Sequence, residues 1–170
     1  MKQDILNPEY WSERLEKAKK SFLHFSIFKA PIDTWEAVER KHESILLEHI
    51  KDTDSILDVG CGYGRLLTLM PPSWTGPYTG IDLSPEFIEL AREKYPYKRN
   101  SFHVHSILHG PVKQFVKPEV YDWATMISIR PMMIRNLGED VWKEAEQNIR
   151  LSAKRLLYLE YDVDNEGSIE

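Results

Sequence analysis

The chain is poor in several things, and each scarcity narrows what it can be. It has one cysteine, Cys61, in 170 residues, so no internal disulfide can form, which fits a reducing compartment. It has no excess of basic charge: 22 Lys and Arg stand against 27 Asp and Glu, a net charge of -5, which disfavours nucleic acid as a partner. It has no apolar run of membrane-spanning length, and Met1–Pro8 carries no signal-peptide core. A cytoplasmic protein with no membrane association is therefore expected. At this length one domain with one core is the default. Glycine is scarce too, eight in all, yet three of them stand alternately at 60, 62 and 64.

Those glycines sit in Ser55-Ile56-Leu57-Asp58-Val59-Gly60-Cys61-Gly62-Tyr63-Gly64-Arg65-Leu66-Leu67. This stretch reads as a buried strand, a glycine-dense turn and the start of a helix. Alternate glycines strip Cβ atoms from one side of the turn, which predicts a ligand lying against main chain and meeting amides at the helix start.

Around this stretch the remaining elements alternate. Helices are predicted over Asn7–Lys20 and over residues 33 to 51, where Asp33 and Glu36 make a capping box and His42 lies on the apolar stripe as a core-edge residue. Phe22, Phe25 and Phe28 suggest a packed turn between the two. Strands are expected at Tyr78–Asp82, Phe102–His105, Tyr121–Ile129 and Leu156–Tyr161. Ser84 and Pro85 cap the helix after the second strand, and Glu139 and Asp140 open the helix before the fifth. His103 and His105 read as structural or solvent-facing, and no metal site is expected. The fold class that follows is α/β: a doubly wound, mainly parallel open sheet of about five strands with helices on both faces. The chain divides into a helical, aromatic segment over 1–32, a ligand-binding domain over 33–163 and an acidic tail over 164–170.

In such sheets ligands sit beyond the carboxyl ends of the strands, where strand order reverses. Asp82 stands 22 positions after Gly60, which suits a carboxylate accepting from both ribose hydroxyls, so an adenosine-type cofactor is the natural candidate. A pyrophosphate fingerprint wants glycine or alanine where Arg65 stands, so a dinucleotide and a nicotinamide-dependent oxidoreductase fit poorly.

Asp58-x-Gly60-x-Gly62-x-Gly64 with Arg65-Leu66-Leu67, taken together with Gly80-Ile81-Asp82-Leu83-Ser84, resembles motif I and the segment after it in the class I S-adenosylmethionine-dependent methyltransferases. The resemblance covers about residues 33 to 163. It implies a Rossmann-like fold and S-adenosyl-L-methionine as cofactor, with S-adenosyl-L-homocysteine as product. It further implies that Asp58 and the amides around Gly60, Gly62 and Gly64 hold the methionine portion, that Asp82 holds the ribose and that Leu83 packs on adenine. Ser106 stands where family members often carry an acid near adenine, and Cys61, Ile107 and Ser128 join the cofactor-side set.

On the acceptor side the candidates are Arg130, Ser128 and Tyr10. A guanidinium at Arg130 would hold a carboxylate or phosphate bidentately, so a small, anionic methyl acceptor is expected. The segment Ser128-Ile129-Arg130-Pro131-Met132-Met133 reads as a strand exit facing that acceptor, with Tyr10, Trp11 and Tyr63 as lid candidates. Family members commonly carry two further strands after the fifth. Their absence here leaves strand five as an edge, with homodimerisation through it as one expectation and a non-catalytic cofactor-binding module as the rival to an enzyme.

Overall fold

The computed structural model describes residues 5–19, 32–112 and 120–160. The predicted turn around Phe22, Phe25 and Phe28 and the acidic tail, with Tyr161, lie outside these residues. Helix α1 spans Pro8–Lys19 and α2 spans Ile32–His49; β1 is Ile56–Val59, followed by a short α3 at Leu66–Leu69. Then come β2 (Tyr78–Asp82), α4 (Pro85–Lys94), β3 (Asn100–Val104) and a 3-10 turn at Ile107–His109. The chain continues through β4 (Tyr121–Ile127), α5 (Ile129–Leu137), α6 (Glu139–Arg150) and β5 (Ala153–Leu159).

The five strands run parallel in the order β3-β2-β1-β4-β5. β1 is central because all four of its residues are buried, as a strand covered on both faces must be. Successive side chains alternate between those faces. Leu57 and Val59 join Met126, Trp142, Ala145 and Ile149 under α5 and α6. Ile56 joins Leu46, Leu66, Ile88 and Phe102 under α2, α3 and α4. Strand order reverses between β1 and β4, so a crevice opens above their carboxyl ends.

Local signals place α4 as predicted: Ser84 is its N-cap, accepting from the Phe87 amide, and Pro85 takes the first helical position. Two strands are shifted: β3 begins at Asn100 rather than Phe102, and β5 runs from Ala153 to Leu159 rather than Leu156 to Tyr161. The larger correction is at residues 129–133, expected as an extended strand exit. They form the first turns of helix α5, which tolerates Pro131 because a proline in the first turn forfeits no intrahelical amide bond. At the entry of β5, Lys154 pairs with Asp122 at 2.7 Å. Arg155 pairs with Asp54 at 3.3 Å while lying 4.1 Å over the Trp123 ring. Among the described residues no helix is long and apolar enough to cross a membrane, and no three His, Cys, Asp or Glu side chains group to hold a metal ion.

Candidate functional site

The turn after β1 is shaped by glycine backbone. Gly60, Gly62 and Gly64 all have positive φ, at 70°, 53° and 81°, where a side chain is strained. A Cβ on Gly60 would stand 2.3 Å from Ile129 Cδ1, so this glycine lets α5 close over the turn. Gly64 is different: its Cβ would strike the Tyr95 ring at 2.8 Å, and it does not line the cavity described below. Its role in this fold is packing.

The amides of the turn are not offered to a ligand as expected. Those of Gly60 and Cys61 both donate to the Ile81 carbonyl, at 2.8 and 3.0 Å, and that of Gly64 donates to Cys61 at 3.0 Å. The Gly62 amide donates to Asp82 Oδ2 at 2.9 Å. The turn thus contributes bare backbone surface, with the carboxyl groups of Asp58 and Asp82 at the adjoining strands and the buried Arg65 guanidinium beside them.

Asp82 is held from both sides, with Oδ1 accepting from the Ser84 amide at 2.9 Å. Burial pushes its carboxyl up from the usual range, opposed by the amides of Ser84, Gly62 and Leu83. Each oxygen keeps a lone pair for a further donor. Asp58 lies deeper, opposite Gly80 and Thr125 in the sheet register. Tyr78 donates its hydroxyl to Asp58 Oδ2 at 2.6 Å, and Thr125 reaches Oδ1 at 3.4 Å. Burial nonetheless pushes the Asp58 carboxyl up to about 7, because hydroxyl donors replace only part of the lost water.

A cavity of about 610 Å³ lies over these groups, within the range of small-molecule sites. Of the predicted cofactor residues, Asp58, Gly60, Cys61, Gly62, Asp82, Leu83, Ser106, Ile107 and Ser128 line it together. Ser106 spends its hydroxyl as cap of the 3-10 turn, accepting from the Leu108 amide at 3.3 Å. Ser128 adopts a left-handed conformation, φ 58°, unusual for a residue with a Cβ.

Tyr10, Trp11, Ile129 and Met132 also line the cavity, as does the lid candidate Tyr63. Arg130 is not among the lining residues: its guanidinium lies 5.2 Å over the Tyr158 ring instead. Two guanidiniums that sequence reasoning missed line the cavity, Arg135 on α5 and Arg14 on α1, together with Asn136 and His105. Arg14 donates to the Tyr10 hydroxyl at 2.8 Å and lies over the Tyr10 and Trp11 rings. The cavity is therefore lined by the carboxyl groups of Asp58 and Asp82 and the buried Arg65 guanidinium near the strand ends, and by the guanidiniums of Arg14 on α1 and Arg135 on α5.

This donor set fits an adenosyl sulfonium amino acid: an acid already held by amides for the ribose, a deeper acid for a cationic end, and Leu83 and Ile107 as apolar walls. A family model described as a methyltransferase domain matches residues 56–150. The chain is 38% identical over 79 residues to malonyl-(acyl-carrier protein) O-methyltransferase of Acetivibrio thermocellus, covering 43% of this chain and 28% of that one. The chain spans less than a third of the length of the curated relatives it matches. Its fold is similar to a TehB-like SAM-dependent methyltransferase from Corynebacterium glutamicum, with a TM-score of 0.55 at 19% identity over 89% of this chain and 71% of that one. It is also similar to phosphoethanolamine N-methyltransferase 1 of Haemonchus contortus, with a TM-score of 0.62 at 16% identity over 89% of this chain and 31% of that one.

Proposed function

The chain belongs to the class I S-adenosylmethionine-dependent methyltransferase family, and from that premise we propose that it methylates a small acceptor carrying an anionic group. When bound, the cofactor supplies a methyl group made electrophilic by a sulfonium. The protein then has to hold, orient and shield. Asp82 takes the ribose hydroxyls on the lone pairs its backbone partners leave open. Asp58 faces the cationic amino acid portion, whose charge draws its carboxyl toward the ionised form. Leu83, Ile107 and Ser106 border the adenine, where Ser106 offers an oxygen in place of an acid.

The observation that carries the acceptor reading is the pair of guanidiniums on the cavity wall. Arg14 and Arg135 come from two different helices to line the same cavity, which Trp11, Ile129 and Met132 also wall. Guanidiniums beside an apolar wall suit an acceptor with a carboxylate or phosphate on an apolar body. Arg14, fixed across Tyr10 and Trp11, supplies direction. Arg135, exposed, supplies reach.

The test is calorimetry with S-adenosylmethionine, S-adenosylhomocysteine and NAD, followed by turnover of labelled cofactor on matched acid and amide acceptors. Selective binding of the two sulfur compounds and faster turnover of the acids support the proposal. Tighter binding of NAD, or equal turnover of acids and amides, overturns the cofactor or the acceptor part respectively.

A further inference from the structure

Helix α1 carries Tyr10, Trp11 and Arg14 into the cavity, where Tyr10 and Trp11 pack against the core cluster that holds Leu57, Val59 and Ile81. It is also anchored on α4: Leu15 packs with Tyr63 and Phe87. A polar contact crosses between the helices, the Ser12 hydroxyl donating to Glu86 Oε2 at 2.6 Å. Glu86 Oε2 also accepts from the Ser84 hydroxyl at 2.9 Å. The Ser84 amide in turn donates to Asp82 Oδ1. A continuous path of hydrogen bonds therefore runs from the Asp82 carboxylate to helix α1.

Resting on the cofactor reading above, we infer that Glu86 is a positioning residue that latches α1 over the cavity once the Asp82 end is ordered by ligand. Three features suit a latch rather than a static brace. Glu86 lies in the first turn of α4, where the helix dipole and the Ser84 hydroxyl hold its carboxylate in place when α1 departs. It is exposed, so water can replace Ser12. And the single Ser12 proton has a second acceptor one turn back, the Pro8 carbonyl at 3.1 Å, so release strands no donor. The bond to a carboxylate is the stronger when it can form. Ligand on Asp82 narrows the freedom that remains to Ser84 and Glu86, lowers the entropic cost of the Glu86–Ser12 bond and thereby couples the cofactor site to α1.

Amide hydrogen exchange on the full chain, with and without saturating S-adenosylhomocysteine, tests this without an acceptor. In the wild type the ligand slows exchange across residues 8–19 as well as across 56–67. In Ser12→Ala and Glu86→Ala the ligand-induced slowing over 8–19 falls by roughly three- to tenfold, the scale of one partly exposed charge-assisted bond. Slowing over 56–67 stays as in the wild type, and Ser12→Thr, which keeps the hydroxyl, restores slowing over 8–19. Undiminished slowing over 8–19 in both alanine variants overturns the latch, as does wild-type slowing confined to 56–67. No slowing at either place overturns the cofactor reading and the latch with it.

Discussion

The two ends of the cavity are built by different means. At the strand ends, each functional group is fixed by backbone: Asp82 by the Gly62 and Ser84 amides, Asp58 by its register beside Thr125. At the helix side the proposed acceptor contacts are long side chains, Arg14 and Arg135, whose placement depends on how α1 and α5 pack. The first end is set by main chain and suits a ligand that does not change. The second can be retuned by single substitutions without disturbing the sheet.

The comparison is broken most severely by striking the fixed end. Asp82→Ala removes the proposed acceptor for the ribose hydroxyls and orphans two amides, and should weaken S-adenosylhomocysteine binding by roughly 100-fold, about 3 kcal/mol. Calorimetry reads this directly, and affinity within threefold of the wild type would remove Asp82 from the site. Gly60→Ala places a Cβ against Ile129 at a positive φ and should cost about 2 kcal/mol of stability. Chemical denaturation with an unchanged midpoint would refute that.

At the helix end the effect should be smaller and confined to the acceptor. Arg135→Leu should raise KM for an acidic acceptor about tenfold, or 1.4 kcal/mol, while leaving the cofactor affinity unchanged. A loss of cofactor affinity would merge the two ends into one.

Asp58 makes the fixed end sensitive to pH. Its carboxyl keeps a proton up to about 7, and a cationic ligand favours the ionised form. Affinity for S-adenosylhomocysteine should therefore rise with pH up to about 7 and level off above it, and Asp58→Asn should flatten that slope. In the ligand-free protein the sign reverses: the folded value lies above the unfolded one, so this contribution to stability is present at low pH and lost as pH rises through about 7. Buried His42, pushed down to about 4 by burial, contributes oppositely, its stability lost as pH falls from about 6.5 toward 4. Over that window the two offset each other, so Asp58→Asn should expose a stability that rises with pH. The smallest expected change is Ser128→Gly, which relieves a left-handed serine and should stabilise by about 1 kcal/mol, or roughly 2–4 °C in melting temperature.

The difference between the ends also explains what the sequence makes legible. Asp58, Gly60, Gly62, Asp82 and the Ser84–Pro85 cap are read from local spacing, because strand, turn and helix start are contiguous in the chain. That Ile81 captures the Gly60 and Cys61 amides is not legible, since it depends on how closely two strands approach. Arg130 was misplaced by one wrong local state. In an extended exit it would sit beside Ser128 at the cavity, but in helix α5 residues 130 and 135 point about 140° apart, and Arg135, though exposed, is the one that lines the cavity. Arg14 was overlooked because the stripe of α1 alone does not tell which neighbour it packs on.

The charges at the entry of β5 have a consequence for how the chain folds. Leu156 to Leu159 make an uninterrupted apolar run on a strand at one end of the described sheet, the type of segment that recruits a second such strand while folding is incomplete. Lys154 and Arg155 precede it, on opposite faces of the strand, each tied to a carboxylate of the same domain. A stray strand adding along this edge would have to desolvate both. Their ion pairs form with Asp122 and Asp54 only once β4 and β1 are in register, so the correct pairing is rewarded at the point where the wrong one is penalised.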